Sequence, residues 1–136
     1  MTLATQSAKG PWACTVYYGV DDDLNLYIVT DPDSIHGRSI AKNKQVAFNI
    51  FDSRQKIYEN KEGVQGSGTI EMVRGILNIT KALLLWHRQN PGVEKAITIE
   101  KVKQLADTKV FKIIPTYLKH FNKELYGDGE YSEWTL

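Results

Sequence analysis

The sequence predicts a mainly β protein, a small antiparallel barrel with peripheral helices. Three observations predict it. Short runs rich in aromatic and β-branched residues recur along the chain, at positions 12–20, 24–30, 46–51, 63–73 and 109–114. Such runs suit a pleated, half-buried surface. Turn-forming clusters separate several of them: Gly10-Pro11, Asp21-Asp22-Asp23 and Asp31-Pro32-Asp33. Helical spacing, in contrast, is confined to three short stretches. Hairpins of strands with a few helices fit a barrel whose helices lie outside the sheet. The length of 136 residues and the 42% apolar content suit one domain, 1–136, with a proper core.

In chain order, Thr2 to Thr5 alternates weakly and reads as a short strand. Trp12 to Val20 (WACTVYYGV) reads as one strand, and Leu24 to Thr30 (LNLYIVT) returns beside it as a hairpin. Ser34 can cap a short helix over Ile35 to Lys42, with Ile35, Ile40 and Ala41 apolar and Asn43 as its stop. Val46 to Phe51 alternates Val46, Phe48 and Ile50 on one face. Gly63 to Val73 follows as a strand, and Gly66 and Gly68 point to a bulge or a close approach. Ile79 to Gln89 has helical spacing and ends at Asn90-Pro91-Gly92. Thr98 can cap another helix with Ile99, Val102, Leu105 and Ala106 on one stripe. Lys109 to Ile114 is a late strand, which Thr116 to Phe121 extends past Pro115. The tail, Gly127 to Leu136, is polar, with Trp134 its one large anchor.

Composition excludes several function classes. Seventeen basic against sixteen acidic residues give a net charge of +1, which argues against a nucleic-acid binder. The longest apolar run, Ala82 to Trp86, is too short for a bilayer. The opening MTLATQSAKG has no signal-peptide pattern. One cysteine, Cys14, allows no internal disulfide and no cysteine-rich metal site. A cytoplasmic protein is the expectation. Three scattered histidines, His36, His87 and His120, lack the paired spacing of a zinc site. Neither a Gly-rich phosphate loop nor a serine nucleophile elbow is present.

The stretch Thr30 to Arg38, TDPDSIHGR, carries the most chemistry. A strand end passes there into a helix start, where main-chain N–H groups and a positive dipole end favour an anion. Thr30, Ser34, His36 and Arg38 would complete a phosphate site. The competing reading is an ordinary cap with a solvated arginine. His36 could also act as a general acid or base, but no second titratable group stands at telling spacing. Cys14, inside a strand, reads as a buried structural thiol.

The order of motifs resembles the pyridoxamine 5'-phosphate oxidase-like, FMN-binding split-barrel family. The likeness rests on Pro11-Trp12-Ala13, on Leu26 to Thr30 with Ser34, His36 and Ile40, and on Asn43 with Val46 to Ile50. It continues through Val64 to Gly68 and Val110 to Pro115. It runs from Thr2 to about Asn122. It implies a six-stranded antiparallel split barrel, usually a homodimer, with FMN in clefts at the dimer interface.

By that resemblance, Trp12, Ala13, Cys14 and Thr15 run along the flavin ring, with Val29 and Thr30 on the neighbouring strand. Thr30, Ser34 and His36 meet the phosphate, with Arg38 nearby, and Gln65 approaches from the other side. The implied activity is FMN-dependent oxidoreduction, with hydride transfer between the flavin and a small-molecule substrate and a nicotinamide nucleotide as a possible donor. The flavin brings the chemistry and the protein orients it.

Two departures matter. Members often begin with a helix, and this chain opens directly on Met1-Thr2. Pyridoxamine phosphate oxidases also end in a segment bearing Arg and His, whereas no Arg follows Arg88 here. Pyridoxamine phosphate oxidation is therefore not expected. The alternative is a binding or sensor protein for flavin, deazaflavin or haem, without turnover.

Overall fold

The computed structural model describes residues 1–93 and 109–136. Eight strands form one antiparallel sheet: β1 (Thr2–Ser7), β2 (Gly10–Thr15), β3 (Tyr18–Val20), β4 (Leu26–Thr30), β5 (Gln45–Phe51), β6 (Glu62–Met72), β7 (Lys109–Asn122) and β8 (Tyr131–Thr135). Their order is β2-β1-β5-β6-β7-β4-β3, with β8 also on β7. The helices among the described residues are α1 (Ile35–Lys42), α2 (Ile76–Gln89) and the single turn α3 (Lys123–Tyr126), followed by a 3-10 turn over Gly127–Gly129.

The path of the sheet explains its curl. β2 and β3 lie at opposite ends of the strand order, yet only Val16 and Tyr17 separate them in the chain. Three Cα–Cα steps reach at most about 11 Å. The two sheet edges must therefore come close without pairing, which leaves a barrel split along one seam. The link is anchored by mutual main-chain bonds between Val16 and Met1: Val16 N–H to Met1 O at 3.0 Å, and the Met1 amino group to Val16 O at 3.2 Å.

This differs from the sequence expectation in two places, and both raise the strand number from six to eight. The stretch 12–20 is two strands, because Thr15 pairs with Thr2 on one edge while Tyr18 pairs with Ile28 on the other. The expected hairpin survives only as β3 with β4. The polar tail also forms β8, which pairs with Tyr117 to Phe121 of β7. β4 and β8 thus share one edge of β7 in succession, β4 along Lys109 to Ile113 and β8 beyond Pro115. The expected helix after Thr98 lies outside the described residues.

β7 runs straight through Pro115, and the register with β6 shifts at Ser67/Gly68, so Thr116 is the extra residue of a bulge. Gly68 is required there: a Cβ would collide with the Ile114 carbonyl oxygen. Inward-facing Leu3, Ile28, Val46, Phe48, Ile70 and Ile113 form the barrel core, and Ile40 of α1 enters it from the end. A second cluster joins Ala82 and Leu83 of α2 to Val110, with Tyr27, Val29, Val73 and Ile79 beside it. α2 therefore lies on the outer face over β4 and β7.

Candidate functional site

Thr30, Ser34, His36 and Arg38 come together around the first turn of α1, as their spacing implies. Ser34 is the N-cap: its hydroxyl accepts from the Gly37 N–H at 3.1 Å and donates to the Asp31 carbonyl at 2.7 Å. The chain folds tightly here, because a Cβ on Gly37 would press into the carbonyl oxygens of Asp31 and Pro32. His36 Nε2 lies 2.6 Å from the Thr30 hydroxyl at the end of β4. Burial pushes the His36 pKa below its ordinary value, against a smaller opposing pull from Asp31. The imidazole is therefore neutral at pH 7. Arg38 folds back to donate from Nη1 to the Asp33 carbonyl.

These groups are thus engaged with one another. Phosphate binding asks for free donors and positive charge. The Ser34 hydroxyl proton, the Arg38 Nη1 and the His36 Nε2 each already have a protein partner, and His36 carries no charge. The cluster fits a phosphate only if those internal bonds exchange.

The strand β2 divides by face. Ala13 and Thr15 lie opposite Ala4 and Thr2, on the outer face. Trp12 and Cys14 lie opposite Thr5 and Leu3, toward the core side. Cys14 packs against the core, its Sγ 3.8 Å from the Leu3 carbonyl, and burial raises its pKa. The thiol is half-buried rather than fully buried. Val29 points the opposite way from Thr30 along β4, into the cluster beneath α2. Gln65 sits on the outer face of β6.

The sheet register builds two long outer rows that the sequence did not announce. One is Thr15–Thr2–Asn49–Gln65–Lys119–Glu133, and the other is Ala13–Ala4–Ala47–Ser67–Tyr117–Thr135. A shallow groove of about 410 Å³ runs over them, lined by Thr2, Ala4, Ala47, Asn49, Gln65 and Ser67 among others. Its small side chains are its signal in hindsight: Ala4 and Ala47 occupy the outward phase of their strands. α1 packs against β1 and β2. The Thr5 hydroxyl, on the inner side of β1, is buried without a hydrogen-bond partner among the described residues.

The other histidines differ in access. His87 Nε2 is buried without a hydrogen-bond partner among the described residues. His120 Nδ1 meets the Tyr126 hydroxyl at 3.0 Å and its ring packs edge-on to Tyr126. Among the described residues no cluster of His, Cys, Asp or Glu could hold a metal ion by itself. No helix among them is long and apolar enough to cross a membrane.

No protein-family model and no curated protein matches the chain. Solved structures do. A heme binding protein from Mycobacterium smegmatis superposes with a TM-score of 0.77 at 20% identity, covering 98% of this chain and 51% of that one. The fold is a split barrel. Campylobacter jejuni ChuZ shares the split barrel with a TM-score of 0.73 at 14% identity, over 98% of this chain and 53% of its own. HutZ, the heme storage protein of Vibrio cholerae, gives 0.60 at 18% identity, over 84% of this chain and 79% of its own. The present chain spans about half the length of the first two.

Proposed function

We propose that this split-barrel protein binds haem, as a homodimer, and works by binding rather than by turnover. The observation that carries the reading is His36. Its imidazole is half-buried, kept neutral by burial, and held through Nε2 by Thr30, while Nδ1 has no hydrogen-bond partner among the described residues. Neutral imidazole is the form that ligates a metal, and a second-sphere hydrogen bond fixes its tautomer and orientation. When bound, haem supplies an iron that accepts such a ligand. Here His36 would be the ligand and Thr30 would orient it. The solved neighbours described as heme binding and heme storage proteins support the same choice. His120 is the second imidazole held by a hydroxyl, that of Tyr126. The outer face of β1, β2, β5 and β6 is the surface we assign to the second copy.

The second reading is FMN, with Thr30, Ser34, His36 and Arg38 turned to its phosphate and Trp12 to Thr15 and Gln65 toward its ring. What favours it is the convergence of all four polar residues on one helix start. In that case the protein is an oxidoreductase toward a small molecule, with a nicotinamide nucleotide as donor. Deazaflavin would take the same place.

Titration of the purified chain with haemin and, separately, with FMN tests both. The expected result is a saturable Soret shift that weakens at least about tenfold in His36→Ala. The same loss in His120→Ala alone would move the ligand to His120. Tight FMN binding with no Soret shift would replace haem by flavin. The absence of both signals would overturn the cofactor reading.

A further inference from the structure

A second concavity lies on the other side of the molecule, between α2 and the outer face of β4, β7 and β6. It encloses about 970 Å³. It shares no lining residue with the His36 cluster or the outer-face groove. Its floor is one row of the sheet, Tyr27–Lys112–Glu71. Val73, Ala82 and Leu85 supply an apolar wall.

Charge is what sets it apart. Lys44, Arg74, Lys81 and Lys112 line it, against two acids, Asp21 and Glu71. Four positive and two negative charges leave +2 in this one cleft, twice the +1 of the whole chain. None of the four cations forms an ion pair among the described residues. Even Lys112, directly across from Glu71, forms none.

Asp21 is not available to them. Its carboxylate accepts from the Asn25 amide at 3.0 and 3.1 Å, from the main-chain N–H groups of Asp23 and Asn25, and from the Tyr27 hydroxyl at 3.0 Å. Tyr27 stays protonated, because burial and Asp21 push its pKa to about 12. The first turn of α2 carries no acid. Solvated surface lysines are the ordinary alternative, but they do not gather in one cavity beside an apolar wall. A cleft lined by one dominant sign of charge concentrates counter-ions. Its size falls in the range of small-molecule sites.

We propose that this cleft binds a phosphate-bearing small molecule of nucleotide size. Lys44, Arg74, Lys81 and Lys112 meet the phosphate, and Val73, Ala82 and Leu85 meet the body. The site is separate from the cofactor reading and stands or falls without it.

Calorimetric titration of the full chain with pyrophosphate and with adenosine monophosphate, at low salt, tests the proposal. The expected result is saturable binding of at least one probe, weakened at least about tenfold in Arg74→Ala/Lys112→Ala and unchanged in the distant Arg54→Ala/Lys61→Ala. Thermal melts verify that the variants fold. If Arg74→Ala/Lys112→Ala does not fold, Lys44→Ala/Lys81→Ala, on two exposed residues, replaces it. No saturable binding of either probe overturns the proposal. So does binding that the cleft substitutions leave intact.

Discussion

The two edges of the sheet are finished in opposite ways. At β3, α2 supplies the missing partner. Gln89 acts as a surrogate strand, accepting from the Val20 N–H at 2.7 Å and donating to the Val20 carbonyl at 2.8 Å. Asn90 donates to the Tyr18 carbonyl and Trp86 to the Tyr17 carbonyl. The helix comes so close that a Cβ on Gly19 would sit 3.0 Å from the Trp86 Cα. At β2 no helix side chain among the described residues takes that role. Pro11 lies in the strand, and Pro11, Trp12, Ala13 and Thr15 are all exposed. An unpaired edge invites other chains, and proteins cover it or blunt it with proline. The difference teaches that the β3 edge is a matter of stability, whereas β2 and the face beside it stay uncovered among the described residues, which is why the proposed second copy is placed there.

The largest test of the comparison is Trp86→Ala. Trp86 is 2% exposed and its indole N–H is bonded, so truncation should cost about 3–5 kcal/mol in denaturant unfolding. A loss below about 1 kcal/mol would mean that α2 does not secure the edge.

Next comes Gln89→Ala, which removes two hydrogen bonds from an exposed edge. A loss of about 1–2 kcal/mol is expected, and hydrogen exchange at Val20 should quicken.

His36 gives a pH test. Its folded pKa lies below the ordinary value of about 6.5. The unfolded chain therefore binds the proton more readily than the folded one. The stability that neutral His36 allows is full above about pH 6.5 and is lost as pH falls through the lower folded value, with a slope of at most about 1.4 kcal/mol per unit. Melts from pH 8 to 5 should show this decline, and His36→Gln should flatten it.

The smallest expected change in stability is at the free face. Ala47→Arg, on an exposed outward position, should stay within about 0.5 kcal/mol of the parent. Sedimentation should nevertheless show the proposed dimer dissociating. A dimer that survives the substitution moves the interface elsewhere.

Much of the fold was legible in local pattern. Alternation at Val46, Phe48 and Ile50 gave β5 its inner face, and Ser34 and Asn43 gave α1 both of its ends. The bulge hinted at by Gly66 and Gly68 lies at Ser67/Gly68. The break after Thr15 was not legible, because Val16 and Tyr17 are themselves good strand residues. The chain leaves β2 there to reach the opposite sheet edge, and local propensity does not encode such a move. β8 was hidden for a related reason. Its residues are mostly exposed and polar, and it persists because β7 offers an unused edge beyond Pro115.

For the candidate site the division is similar. The sequence by itself placed Thr30, Ser34, His36 and Arg38 around one helix start, since a strand end, a cap and a first turn are contiguous. Only the tertiary structure decided what those groups do there. Burial neutralises His36, Thr30 takes its Nε2, and Ser34 and Arg38 turn to carbonyls of the preceding turn. Only it separated Val29 from Thr30 and gathered four distant cations over Tyr27, because strand register and helix placement join residues far apart in the chain. Short-range chemistry is written in neighbouring residues, whereas burial and charge balance depend on which distant strands lie alongside.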